Sequence, residues 1–191
     1  MTKGPPDFIV GIGGSAGSLP AFKAMLSALS PKTGMAFVFV SHIYPSAQSQ
    51  LAEILARITK MTVRIATDAM PVERNSVYVI PPDADLLLGD NFHFKVVSPR
   101  SRRNAQIDIF FSSLAEILGK GAIGVVLSGY DGDGSEGCQQ IKSRGGTTFA
   151  QDKSATVSSM PLRAQAGGHV DFVMAPEEMA DKLLKITSGT G

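Results

Sequence analysis

Apolar residues fall along the chain in two alternating rhythms. Phe8 to Gly11 is a short apolar run. Leu19, Phe22, Met25, Leu26 and Leu29 then recur at helical spacing, and Pro31-Lys32-Thr33-Gly34 interrupts them. Ala36 to Val40 is a second continuous run, Leu51, Ile54, Leu55 and Ile58 mark a second helix, and Thr62 to Ala66 is a third strand. Continuous apolar strands separated by helices predict a parallel sheet covered on both faces. The middle has another rhythm: Ser76 to Ile80, Asp85 to Leu88 and Phe92 to Val97 are short strands separated by Pro81-Pro82 and Gly89-Asp90-Asn91. They predict a meander or hairpin turning at Gly89-Asp90-Asn91. The strand–helix order then resumes. Ile107, Phe110, Phe111, Leu114, Ile117 and Leu118 form a helical stripe, Ile123 to Leu127 a strand, and Cys138 and Ile141 lie on a helix. Thr147 to Ala150 and Val170 to Met174 are strands, with a helix opened by Pro161 and stopped by Gly167-Gly168 between them, and Glu177 to Ile186 closes the chain as a helix. The expected fold class is α/β: a doubly wound, mostly parallel sheet with helices on both faces and a β-hairpin insertion in the middle. No repeat or linker is evident, so residues 1–191 are expected to form one domain with an ordered core of about 8–187.

The segment after the first run, Gly11-Ile12-Gly13-Gly14-Ser15-Ala16-Gly17, has two readings. Gly11-x-Gly13-x-x-Ala16 fits a dinucleotide phosphate cradle. Gly13-x-Ser15-x-Gly17 fits a sharp turn that presents a nucleophilic serine. A dinucleotide site expects an acidic residue roughly 20 positions on, at the end of the second strand. That position reads Val40-Ser41-His42-Ile43, with no acid.

Composition narrows the classes. A hydrophobic share of 43% supports a real core, and runs such as Met35 to Val40 are too short to span a bilayer. The start, Met1-Thr2-Lys3-Gly4-Pro5-Pro6, has no apolar signal region. The single cysteine, Cys138, excludes an internal disulfide, fits a reducing compartment and is read as a small apolar residue. A cytoplasmic protein is expected. Net charge is +1 with 7% aromatics, which gives little support to a nucleic-acid surface. Arg100, Arg102 and Arg103 are read as a solvated loop, with docking of an acidic partner as the alternative.

In an open parallel sheet ligands gather at the carboxyl ends of the strands. Ser15 follows the first strand, Ser41-His42 the second, and Ser128-Gly129-Tyr130-Asp131-Gly132-Asp133-Gly134 the strand ending at Leu127. Serine, histidine and aspartate thus converge on one edge, the set needed for acyl chemistry through a serine nucleophile. A serine hydroxyl needs a base, histidine titrates near the working pH, and a carboxylate can hold the imidazole. Read alone, His42 could equally be a capping or core residue, and His93 and His169 are read as structural. Asp131-x-Asp133 suggests a metal loop, but an EF-hand needs glycine sixth and glutamate twelfth, where Glu136 and Lys142 stand. No zinc pattern is present.

These residues resemble a known family. Ile12 to Gly17, Ser41 to Pro45, Tyr78 to Pro82, Val126 to Gly137, Ala150-Gln151-Asp152 and Ser159-Met160-Pro161, in this order, are similar to the catalytic domain of CheB-type protein-glutamate methylesterases, over nearly the whole chain. The resemblance implies a doubly wound sheet and a triad of Ser15, His42 and Asp133, with Asp131 a neighbour of the triad rather than a member. It implies an oxyanion-hole N–H from Ala16 and places Tyr130 beside that site, where the family commonly has methionine. It implies hydrolysis of glutamyl γ-methyl esters on the cytoplasmic helices of methyl-accepting chemoreceptors, glutamine deamidation in some members, and no cofactor or metal. Possible partners are a CheR-type methyltransferase or a receiver domain in a parent protein, without nucleic acid or membrane insertion. The sequence departs from the family at Ser18, at Ile43-Tyr44, where a proline is usual, and at Arg103-Asn104-Ala105-Gln106, where His-Arg-Pro-Ser is usual. The receiver domain that normally precedes the family domain is absent from the 191 residues. The alternative reading is a non-catalytic module that binds receptor or methyltransferase.

Overall fold

The computed structural model describes residues 4–42 and 45–189, with backbone alone for 45–49. Ile43 and Tyr44, two of the departures noted above, lie outside the described residues. The strands are β1 (Ile9–Gly14), β2 (Ala36–Ser41), β3 (Thr62–Ile65), β4 (Ser76–Val79), β5 (Asp85–Leu88), β6 (Phe94–Val97), β7 (Ala122–Val126), β8 (Thr147–Gln151) and β9 (Phe172–Met174). The helices are α1 (Ser18–Ala28), α2 (Pro45–Ala56), α3 (Gln106–Leu118), α4 (Ser135–Ser143), α5 (Ser159–Ala166) and α6 (Pro176–Thr187).

Seven strands form a sheet in the order β3-β4-β2-β1-β7-β8-β9, with every pairing parallel. The chain winds outward from β1 in one direction through β2 and in the other through β7. That reversal places the loops after β1, β2 and β7 side by side at the strands' carboxyl ends. The expected fold class holds. One grouping is corrected: Ser76 to Ile80 does not join a meander. As β4 it inserts between β3 and β2, with Ser76 opposite both Thr62 and Ala36. All four of its residues are buried, as a strand covered on both faces requires. Only β5 and β6 form the hairpin, with Asp85 opposite Val97, turning through Gly89–His93.

The alternation of β2 divides the core. Phe37 and Phe39 point to one face, where Phe22, Met25 and Leu26 of α1, Leu51 and Leu55 of α2, and Met179 and Leu183 of α6 meet them. Val38 and Val40 point to the other, which is covered by Ile107, Phe110, Phe111 and Leu114 of α3, Cys138 and Ile141 of α4, and Met160 of α5. The helix α3 lies unusually close to the sheet because the strand residues beneath it lack side chains. A Cβ at Gly11 would stand 2.7 Å from the Phe111 ring, one at Gly124 2.9 Å from it, and one at Gly13 2.6 Å from Ile107. Pro161 is the third residue of α5 rather than its first. The first four N–H groups of a helix have no partner inside it, so a proline there costs no hydrogen bond.

Phe111 fills the space above two strand glycines and is fully buried. Phe111→Ala is expected to cost about 3–5 kcal/mol in the unfolding free energy measured by urea titration. Lys23→Ala on the exposed side of α1 should stay within about 0.5 kcal/mol. Equal effects of the two would contradict this packing.

Candidate functional site

Gly11, Gly13 and Gly14 belong to β1, so the turn itself begins at Ser15. The space a phosphate cradle would need above Gly11 and Gly13 is filled by Phe111 and Ile107. Those two glycines serve helix packing, and the dinucleotide reading loses its physical basis. The turn is sharp at Gly17, whose φ of 70° is left-handed. A Cβ there would also come within 2.8 Å of Thr156 and 3.0 Å of the Ser128 hydroxyl. Gly17 thereby sets the start of α1 immediately beyond Ser15.

Register brings the other residues alongside. Gly14 of β1 pairs with Ser41 of β2, and the His42 N–H donates to the Gly14 carbonyl at 3.4 Å. On the other side Gly13 pairs with Val126 of β7, and the Ser15 N–H donates to the Ser128 carbonyl at 2.9 Å. Ser128, completely buried, joins three crossovers. Its hydroxyl donates to the Ala16 carbonyl (2.8 Å) and accepts from the Val157 N–H (2.9 Å), while its own N–H donates to the Gln151 side chain (3.0 Å).

His42 lies between two carboxylates. Its Nε2 is 2.5 Å from Asp133 Oδ2 and its Nδ1 is 3.1 Å from Asp131 Oδ2. Ionised carboxylates only accept, so a ring bonded to one on each side carries both protons and is an imidazolium. Burial pulls the ring's pKa down, but the hydrogen bonds to Asp131 and Asp133 and their charges outweigh it and raise the pKa from 6.5 to about 9. Burial would likewise raise Asp131. The hydrogen bond from His42, the Asp133 N–H and the charge of Arg163 bring it below the usual carboxylate range.

Asp133 is held from behind by α3. Its two oxygens accept the N–H groups of Ile107 (2.9 Å) and Asp108 (2.8 Å) at that helix's N-terminus. Asp108 in turn accepts the N–H groups of Gly134 (2.9 Å) and Gly137 (2.6 Å) at the start of α4. Burial, together with the neighbouring Asp133, pushes Asp108 up to about 7, against the pull of those two donors. Each aspartate therefore caps the helix that carries or follows the other.

Ser15 and His42 thus follow the adjacent strands β1 and β2, and Asp133 reaches His42 from the loop after β7. Among the described residues the Ser15 hydroxyl has no hydrogen-bond partner and the Ala16 N–H has no acceptor. A cleft of about 270 Å³ opens beside Ser15 between α1 and α2, lined by Gly17, Leu19, Phe22, Leu51 and Ile54, with Gln50 also at its wall. Tyr130 is 68% exposed. His93 bonds locally to the Asn91 carbonyl, and His169 offers its carbonyl to Thr148, both away from the site. Burial, with smaller contributions from Asp108 and Asp171, pushes the Cys138 thiol up to about 12, as an inert core residue requires. Among the described residues no group of three or more His, Cys, Asp or Glu forms a metal cluster.

Three residues escaped the sequence reading: Asp108, Ser128, and Asp131 as a direct partner of His42. An acidic residue in the first turn of a helix is a recognised capping signal and could have marked Asp108. The altered segment before α3 also has a structural account. Gln106 is buried and donates to Asp85 (2.9 Å) and to the Arg102 carbonyl (2.7 Å), which ties the hairpin to the start of α3. Arg100 pairs with Asp83, while Arg102 and Arg103 are exposed.

Two measurements test this construction. Ser128→Ala leaves the Ala16 carbonyl and the Val157 N–H unpartnered, and its cost in urea unfolding is expected to be about 1–3 kcal/mol. For His42 the folded pKa lies above the unfolded value of 6.5. Its contribution to stability is therefore present in full below pH 6.5 and lost as pH rises through about 9. Unfolding free energies measured over that window should fall more steeply for the wild type than for His42→Gln, and parallel curves would contradict the two-carboxylate clamp.

The family model described as CheB methylesterase matches residues 10–183 of this chain. A protein from Leptospira interrogans is 30% identical over 178 residues, which cover 92% of each chain. Two proteins named protein-glutamate methylesterase/protein-glutamine glutaminase are also similar. The one from Hydrogenovibrio crunogenus is 30% identical over 96% of this chain and 52% of its own length. The one from Photorhabdus laumondii is 32% identical over 95% and 53%. The chain thus spans about half the length of these two relatives. The crystal structure of the Thermotoga maritima CheB methylesterase catalytic domain superposes with a TM-score of 0.88 at 30% identity, covering 94% of this chain and 98% of that one.

Proposed function

The chain belongs to the CheB methylesterase family, and from that premise we propose that it is a serine-type protein-glutamate methylesterase working as one catalytic domain. Its substrates would be glutamyl γ-methyl esters on the cytoplasmic helices of chemoreceptors. The observation that carries this reading is the His42–Asp133 pair standing beside the turn that presents Ser15.

In this scheme the His42 imidazolium first gives one proton to water, and Ser15 Oγ then attacks the ester carbonyl and passes its proton to the neutral ring. The developing oxyanion lies at the start of α1, where the Ala16 N–H has no competing acceptor and the helix dipole favours negative charge. His42, held by Asp133, returns the proton to the methoxide, and methanol leaves. Water, deprotonated by His42, then hydrolyses the acyl-enzyme and frees the glutamate. The apolar cleft beside Ser15 suits the aliphatic stem and methyl group of the ester. The same steps on glutamine would release ammonia, which accounts for deamidation as a second activity. The chemistry involves no metal or redox cofactor. Among the described residues no helix is long and apolar enough to cross a membrane, which suits action on receptor helices from the cytoplasm. A CheR-type methyltransferase or a receiver domain, if joined to this domain in a parent protein, would act on it from outside the 191 residues.

One observation favours the alternative, a receptor- or methyltransferase-binding module without turnover: both ring nitrogens of His42 are taken by carboxylates. Methanol release from methylated receptor membranes separates the two. Ser15→Ala is expected to reduce it by about a thousandfold or more. Near-normal release by that variant would remove Ser15 from the chemistry, and receptor binding without release by the wild type would establish the binding module.

A further inference from the structure

We propose that Asp131 is a positioning residue that competes with Ser15 for Nδ1 of His42, holding the base in a resting state from which it must be released before each catalytic cycle. This deepens the reading of Ser15, His42 and Asp133 as a triad and rests on it. Nε2 of His42 is committed to Asp133, so Nδ1 is the nitrogen left to receive the Ser15 proton. That nitrogen is 3.1 Å from Asp131 Oδ2, while the Ser15 hydroxyl has no partner among the described residues.

The two carboxylates differ in mobility. The Asp133 side chain is 0% exposed and accepts from two backbone N–H groups of α3 as well as from His42. The Asp131 side chain is 27% exposed, and its other oxygen accepts only the Asp133 N–H, at 3.1 Å, within its own glycine-rich loop. Rotation about its side-chain bonds would carry Asp131 into solvent without disturbing α3. Asp133 is the fixed partner and Asp131 the releasable one. The proton balance is simple. When Asp131 withdraws, the imidazolium gives its Nδ1 proton to water. It becomes the neutral ring that keeps Nε2–H on Asp133 and turns the Nδ1 lone pair toward Ser15.

Among the described residues the charged groups around the ring are few. Asp131 and Asp133 face it from the loop after β7, Asp108 at the start of α3 stands behind Asp133, and Arg163 of α5 stands beside Asp131. The Arg163 guanidinium lies 3.5 Å from where a Cβ on Gly132 would be, against the same loop. Of the four, only Asp131 both touches the ring and is accessible to solvent.

The test uses the 191-residue chain in five forms: wild type, Asp131→Asn, Asp131→Ser, Ser15→Ala and His42→Gln. Asn and Ser both keep an oxygen for the Asp133 N–H and remove the charge. Two quantities are followed against pH: the His42 ring signal in the NMR spectrum, assigned with His42→Gln, and the rate of Ser15 labelling by a serine-directed phosphonate. The expected result is that both midpoints coincide in the wild type and fall together by about one unit or more in the Asp131 variants, which raises labelling at neutral pH about tenfold or more. A role of Asp131 in loop structure alone would not move either midpoint. Unchanged midpoints in both variants, with labelling intact, overturn the proposal and leave the triad standing. Absence of labelling at every pH overturns the triad reading, and the competition falls with it.

Discussion

The crossed capping of two helices by two aspartates holds the site together. Asp133, from the loop that enters α4, accepts the first N–H groups of α3, and Asp108, from the first turn of α3, accepts the first N–H groups of α4. A helix N-terminus leaves unsatisfied donors, and a buried carboxylate needs donors, so each requirement answers the other. The exchange locks α3, α4 and the loop after β7 into one body. It leaves one direction of Asp133 free, and His42 occupies it. The position of His42 therefore depends on helix capping as much as on β2, which it follows.

Much of this was legible along the chain, for identifiable reasons. The strands of a parallel sheet are buried on both faces and appear as unbroken apolar runs, so β1, β2 and β7 stood out, and with them the three loops that follow. The residue types in those loops pointed to a serine, a histidine and aspartates at one edge, and the family resemblance singled out Asp133 among the aspartates. Other features depend on distances between segments far apart in the chain. That β4 lies between β3 and β2 follows from how the crossovers pack, and a short apolar strand carries no mark of its neighbour. Gly11 and Gly13 looked like ligand glycines because local sequence cannot show that Phe111 and Ile107 will fill the space above them. Asp131 was assigned a place beside the triad, but its grip on Nδ1 depends on where a histidine 89 residues away points its ring.

The segment Arg103 to Gln106 shows how a departure from a family pattern can be absorbed. Gln106 spends its amide on Asp85 of the hairpin and on the Arg102 carbonyl, and Asp85 accepts the Ser101 N–H as well. Burial acts to raise the Asp85 carboxyl, but the bonds from Ser101 and Gln106 bring it below its ordinary range. The segment thus anchors the insertion to α3 and places Ala105 and Gln106 just before the N–H groups that Asp133 caps. Gln106, which looks like an altered substrate contact in one dimension, is structural in three.

Ser128 has a further consequence. Its single hydroxyl is shared by the turn at Ser15–Gly17 and by the loop after β8, and its backbone carbonyl anchors the N–H of Ser15. These crossovers cannot vary in length independently, because one extra residue in either would pull the shared hydroxyl away from the other. Tolerance of insertions should accordingly be uneven over the molecule. Asp90 and Asn91 at the hairpin turn are exposed and share no bond with this junction, so new residues should be tolerated better there. The three loops around Ser128 form a closed set that evolution or design can change only together.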